Sequence, residues 1–215
     1  MQRRPVAKVD WRRGERILRS APWPPLLGSA TAAAILICIA ALAHRTGLAA
    51  PTTLLALAAC GAAAAYSLDE EATPVADATP TSRRRRAGWR IPLAVLPMAV
   101  AVCGLFTLHR LDPEMKWLRL LPLAGGALAI GIGLAAVLRH RGTAAPGDLV
   151  GVVTLVGVVL IVSIDPLRRW VALFPLGDAA HAGRSVALWL AVVGVWAVVT
   201  LACTRDPGRR GRAGH

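Results

Sequence analysis

Charge is missing from the parts of this chain where it would carry the most meaning. Six long apolar stretches, residues 26–43, 48–67, 91–108, 118–138, 147–164 and 185–203, hold no acid or base in their interiors. An ionisable group at membrane depth is costly and normally marks a proton or ion path, so its absence argues against a proton-coupled pump or an ion channel. No G-x-x-x-x-G-K-[ST] run occurs, and neither lysine, Lys8 or Lys116, follows a glycine-rich loop; ATP phosphates cannot be cradled in that way. The cysteines Cys38, Cys60, Cys103 and Cys203 fall inside the apolar stretches with no C-x-x-C spacing and no neighbouring histidine. They read as small buried hydrophobes rather than disulfides or metal ligands. His44, His109 and His181 belong to three separate connections without ligand spacing, so no metal or cofactor is expected. Asp112, Asp165 and Asp178 suit turns and caps, since no His or Lys is placed to form a nucleophile pair. Catalytic residues are therefore not expected.

The apolar stretches themselves set the fold class. A hydrocarbon core of ~30 Å takes about 20 apolar residues in a helix, with a range of roughly 17 to 25. The expectation is an all-α, polytopic membrane protein with six transmembrane helices. The first stretch begins too late and runs too long for the apolar region of a cleavable signal.

Formal net charge is +13, and nearly all of the 25 basic residues are arginine. With the N-terminus inside, 18 of these 25 fall in the cytoplasmic segments of a six-span arrangement. Basic residues favour that side, so both termini are expected in the cytoplasm of a cell that carries the chain in its plasma membrane. The charge then serves topology and the lipid bilayer's anionic headgroups, and no nucleic-acid partner is expected.

Residues 1–25 form a basic arm in which Trp11, Ile17 and Leu18 can share one helical face while Arg12, Arg13, Arg16 and Arg19 reach headgroups, the pattern of an interfacial helix. Residues 26–203 are the transmembrane domain and 204–215 a basic tail. Within the domain, the inner loop 68–90 carries Asp69, Glu70 and Glu71, then Thr73 before Pro74, Asp77, a stop at Pro80 and four consecutive arginines. Thr followed by Pro has the form of an N-cap and first helical residue; a short cytoplasmic helix flanked by charge is a docking element in form. The alternative is a solvated turn with a topology anchor. The outer loop 165–184 starts with Asp165 as N-cap and Pro166 as first helical residue, after which Trp170 and Phe174 lie one turn apart. Such a helix is too short to span and too apolar for water, which suits an interfacial or re-entrant position. Gly125 and Gly133 in the fourth stretch, and Gly147 and Gly151 in the fifth, sit at spacings that let helices approach closely in lipid.

These features together resemble the membrane subunits of ABC-2-type exporters, in particular small six-span permeases of high-G+C actinobacteria. The resemblance implies an interfacial helix at residues 11–19, an ATPase-coupling helix near 74–79 and a short outer re-entrant helix at 166–174. It extends to the acids Asp69, Glu70 and Glu71, to Pro80-Thr81 before the arginine cluster, and to the closing Thr204-Arg205-Asp206-Pro207. It implies a permease rather than an enzyme, with ATP hydrolysis in a separate ATP-binding-cassette ATPase subunit and a second permease copy or sister permease as partner. A non-transporting membrane scaffold or accessory subunit is the alternative that the empty spans fit equally.

Overall fold

The computed structural model describes residues 22–43, 48–69, 88, 90–143, 145–163 and 179–204. The arm with its interfacial helix, Glu70, Glu71, Thr73, Pro74 and Asp77 of the inner loop, Asp165, Pro166, Trp170 and Phe174 of the outer loop, and the tail lie outside the described residues.

Among the described residues the chain is all-helical. It runs α1 (Trp23–Leu42), α2 (Ala49–Tyr66), α3 (Val95–Leu111), α4 (Leu121–His140), α5 (Pro146–Ser163) and α6 (Ala179–Cys203), with 3-10 turns at Ile91–Ala94, Pro113–Met115 and Trp117–Leu120. Five segments are long and apolar enough to cross a membrane: Trp23–Leu42, Ala49–Tyr66, Ile91–Leu111, Trp117–His140 and Ala182–Cys203. The stretch expected as the fifth span, 147–164, falls on α5, whose Pro146–Leu160 part is a shorter apolar helix than these five, so five of the six expected spans are found among the described residues.

Several helices begin earlier or end later than their apolar runs. Pro24 and Pro25 occupy the opening turn of α1, where proline's missing N–H and fixed φ cost nothing; they start this helix rather than merely ending what precedes it. Helix α3 continues through His109 and Arg110, and the Arg110 guanidinium lies 4.9 Å from the centre of the Phe106 ring, an attractive cation–π placement. Helix α6 has 25 residues, about 38 Å at the α-helical rise. That exceeds the hydrocarbon thickness, so Arg184 in its early turns is helical and exposed rather than part of a loop. Lys116 takes a left-handed conformation, φ 49, and so turns the chain sharply between two 3-10 segments. Trp117, fully buried, plugs the bundle directly after it.

Helix α2 is the hub, packing against α1, α3, α4 and α5. Its sequence explains why: from Ala56 to Ala65 it holds only Ala, Leu, Cys and Gly, all buried. A smooth cylinder of small side chains accepts neighbours on every side, and a helix apolar all round is a buried one. Thr53, fully buried, satisfies its hydroxyl by donating to the Ala49 carbonyl at 2.7 Å, as Thr107 does to Cys103 at 2.9 Å. The buried Thr154 Oγ1, by contrast, has no hydrogen-bond partner.

The cysteines are unpaired, and only Cys60 is buried; Cys38 and Cys103 are exposed on their helices and Cys203 is intermediate. The expectation of four buried thiols is thus corrected. Helical phase decides which face a residue takes, and an apolar run long enough to cross a bilayer does not reveal that phase.

Glycine sets the closest approaches. Helices α2 and α4 meet backbone to backbone, where a Cβ on Gly61 would lie 2.7 Å from the Ala127 carbonyl oxygen and a Cβ on Gly131 would strike the Gly61 carbonyl. Helix α6 rests on α4 through two indoles: a Cβ on Gly126 would enter the Trp189 ring and one on Gly133 the Trp196 ring. Both pairs are seven residues apart, so the two helices keep register over two turns, the geometry of knobs in holes. Gly125 makes only ordinary contact, its Cβ position lying 3.7 Å from Val193. Gly131→Ala should therefore destabilise the protein by about 1–3 kcal/mol, because backbone cannot move aside as a side chain can. Gly125→Ala should change stability by under about 1 kcal/mol and in the favourable direction, from helix propensity alone. Thermal unfolding in detergent distinguishes them, and equal effects would contradict the Gly61–Gly131 crossing.

Candidate functional site at the arginine-rich end of the bundle

Where α2 ends, the amides of Ser67, Leu68 and Asp69 close its last carbonyls, donating to Ala64, Ala65 and Tyr66, and the carbonyls of the turn that follows need partners of their own. Arginines supply them. Arg139, in the last turn of α4, donates from Nη1 to the Leu68 carbonyl, and Arg90, fully buried just before α3, donates from Nη1 to the Asp69 carbonyl. Cationic side chains at a helix C-terminus also complement the negative end of its dipole.

The side chain of Asp69 turns the other way, toward the start of α5. That helix opens Pro146-Gly147-Asp148; Pro146 has no N–H, so Gly147 supplies the first amide needing a partner. It donates to both Asp69 carboxylate oxygens, at 2.9 and 3.1 Å. Asp69 thereby acts as an N-cap supplied from another helix. Gly147 is required because a Cβ there would strike the Asp69 carboxylate and come within 2.5 Å of the Tyr66 ring. One residue on, Asp148 accepts a 3.0 Å hydrogen bond from the Tyr66 hydroxyl. A small apolar cluster of Leu68, Ala135, Ala136 and Val150 packs beside this joint.

Asp69 is 6 % exposed, and burial pushes its carboxyl up to about 6. The nearby Asp148 charge pushes the same way, while the Gly147 amide, Arg139 and Arg90 oppose it.

Of the acids expected to face a partner from the inner loop, Asp69 is thus occupied within its own chain. Gly147 lies in the joint, and Gly151 touches α2 more loosely, its Cβ position 3.6 Å from the Tyr66 hydroxyl and 3.7 Å from Ala62. Gly125 and Gly133 face α6 from α4 instead. Three residues central to helix contact were not singled out by spacing: Gly61, Gly126 and Gly131. The usable signal was the matching seven-residue separation of Gly126 and Gly133 with Trp189 and Trp196.

A second feature lies among the spans. An apolar crevice of about 240 Å³ opens between α2, α4, α5 and α6, bordered by Leu57, Ala58, Ile130, Val153, Gly157 and Trp189. Among the described residues, no acid or base lines it. Among the described residues, no group of three His, Cys, Asp or Glu side chains comes together as a metal site would require.

No family model, curated protein or solved structure matches this chain.

The joint predicts a contrast between two neighbouring arginines. Arg139→Ala removes a charge-assisted bond to the Leu68 carbonyl, in the turn after α2, and should cost about 1.5–3 kcal/mol, whereas the exposed Arg141 should tolerate alanine within about 0.5 kcal/mol. Chemical unfolding in detergent measures both, and equivalence of the two variants would contradict the assigned role of Arg139.

Proposed function

We propose that this chain is the transmembrane permease subunit of an ATP-driven exporter, crossing the cell membrane six times with both termini in the cytoplasm. ATP binding and hydrolysis belong to a separate ATP-binding-cassette ATPase subunit, and the permease pairs with a second copy or a sister permease. The chain itself is not an enzyme.

The observation that carries this reading is the bond between Asp69 and Arg90, the residues on either side of 70–89. Arg90 at one end of that segment bonds to Asp69 at the other, and Asp69 is fixed in turn to the first turn of α5. A push on the segment by a docked ATPase reaches α2, α3 and α5 through a single point, and α4 through Arg139. A coupling loop needs that connection, because force applied to a slack segment moves nothing beyond it. The apolar crevice among the spans is consistent with an apolar cargo path.

The scaffold reading draws on a different observation. Helices α2 and α4 touch backbone to backbone at Gly61 and Gly131, which leaves no passage along that seam.

The two readings part on the acids beyond Asp69. Since Asp69 is structural, the informative variant reverses only its neighbours, Glu70→Lys with Glu71→Lys. Desolvated charge pairs across an interface contribute far more than exposed pairs within one chain. The double variant should keep the parent's thermal stability while losing most of its ATPase copurification and transport. Full retention of both would remove the coupling assignment and favour the scaffold.

A further inference from the structure

The crevice among the spans borders a polar group that the fold leaves unsatisfied. Thr154 of α5 lines it, and Thr154 Oγ1 is buried with no hydrogen-bond partner. Thr53, Thr107 and Thr200 each donate to the carbonyl four residues earlier in their own helix, at 2.7, 2.9 and 2.8 Å; Thr154 does not. A hydroxyl buried without a partner in apolar surroundings is costly, and one at the wall of a crevice points to an occupant that satisfies it. We propose that the crevice binds a neutral, largely hydrocarbon molecule that presents a carbonyl oxygen to the Thr154 hydroxyl.

The shape of the crevice and the packing around it set what fits. Leu123, Ala127, Ile130 and Leu134 form one stripe of its wall along α4, about 16 Å from first to last at the helical rise, so the space is elongated along the helix axes. Helix α5 packs on α2 and α4, and α6 packs on α4, while α5 and α6 share no more than a weak contact. The gap between those two helices is the open side among the described residues, with Val153 exposed at its edge. At about 240 Å³ the crevice exceeds the apolar cavities of about 150 Å³ that take up benzene. Apart from Thr154, only Trp189 carries a polar side-chain atom among the described lining residues, and its ring lies over Gly126. A charged guest would meet no counter-charge here, so the occupant is neutral.

Depth separates this occupant from an ordinary lipid tail. Along α5 (Pro146–Ser163), Thr154 stands about 12 Å from the first residue and about 14 Å from the last. With α5 crossing a hydrocarbon core of ~30 Å, its hydroxyl lies near the middle. The ester oxygens of a phospholipid stay at the headgroup border, about 15 Å away, and its tail carries no acceptor. A molecule whose carbonyl lies within its hydrocarbon body reaches the site. This step rests on the six-span arrangement proposed above. Binding itself requires no ATPase, so its failure and a failure of the exporter reading are separate results.

Benzophenone tests it: a neutral diaryl ketone that inserts into nearby C–H bonds under near-ultraviolet light. The full chain in lipid nanodiscs is irradiated over a range of probe concentrations, and the labelled residues are located by mass spectrometry. Labelling should saturate and centre on Val153, Gly157, Val158 and Trp189. Thr154→Val keeps the side chain's shape but removes the donor, and should raise the half-saturating concentration about 5- to 10-fold, the worth of one neutral hydrogen bond. Thr154→Ser keeps a hydroxyl and should label as the parent does. A Cβ on Gly157 would meet nothing within 4 Å, so Gly157→Leu places a side chain at the crevice wall without strain and should abolish labelling there while the thermal stability is kept. Labelling that rises without saturation and spreads over exposed residues such as Val152, Val156 and Leu160, the pattern of a crevice filled by lipid tails, overturns the proposal. An unchanged half-saturating concentration in Thr154→Val overturns it equally.

Discussion

The structure depends on how helix ends are satisfied where they meet at the arginine-rich end of the bundle. A helix leaves its last carbonyls and first amides without intrahelical partners, and in apolar surroundings an unpaired backbone group costs several kcal/mol. Four helix termini converge here, and the chain resolves them against one another. The turn after α2 provides carbonyls at Leu68 and Asp69 that accept from arginines of α4 and the α3 approach, while the Asp69 amide donates to the Tyr66 carbonyl at the end of α2 and the Asp69 side chain accepts the first free amide of α5. One residue thus closes two helices. A consequence is that Asp69 cannot be both this cap and a free charge offered to a partner.

The rest of the bundle is organised by size rather than polarity. Lipid tails are as apolar as leucine, so helices in a bilayer gain by close packing rather than by escaping water. The Ala-rich surface of α2 and the glycines of α4 supply the closeness, and the bulk comes from α6, whose Trp189 and Trp196 fill what Gly126 and Gly133 leave open. Helix α5 is gripped at its start by Asp69 and Tyr66, while Val152, Val153, Leu155, Val156, Val159 and Leu160 along it remain exposed, as do Leu190, Val195, Val198 and Leu201 of α6.

Much of the architecture was legible in the sequence, for reasons that also mark where legibility stopped. Apolar runs bounded by arginine and proline locate helices because burial in hydrocarbon requires an unbroken run of about 20 residues. Boundaries shifted where local chemistry extends a helix past that run, as Pro24 and Pro25 do at the start of α1 and His109 and Arg110 at the end of α3. Gly133 and Gly147 stand at close helix approaches and Gly151 at an ordinary one, yet four-residue spacing could not rank Gly126 above Gly125, because the ranking depends on where Trp189 falls on another helix. Asp69 was visible as the first acid of a charged loop. Its role as a cap for α5 was not, since its partner Gly147 is 78 residues away and no local pattern joins them.

If the joint is one cooperative network, Asp69 and Arg139 are energetically coupled although neither side chain serves the same backbone group. A double-mutant cycle in unfolding free energy, with Asp69→Asn, Arg139→Gln and the combination, measures this directly. A cooperative joint gives a non-additive term above about 0.5 kcal/mol, in the range found for residues of one network. Additivity within about 0.3 kcal/mol, the behaviour of independent sites, would contradict it.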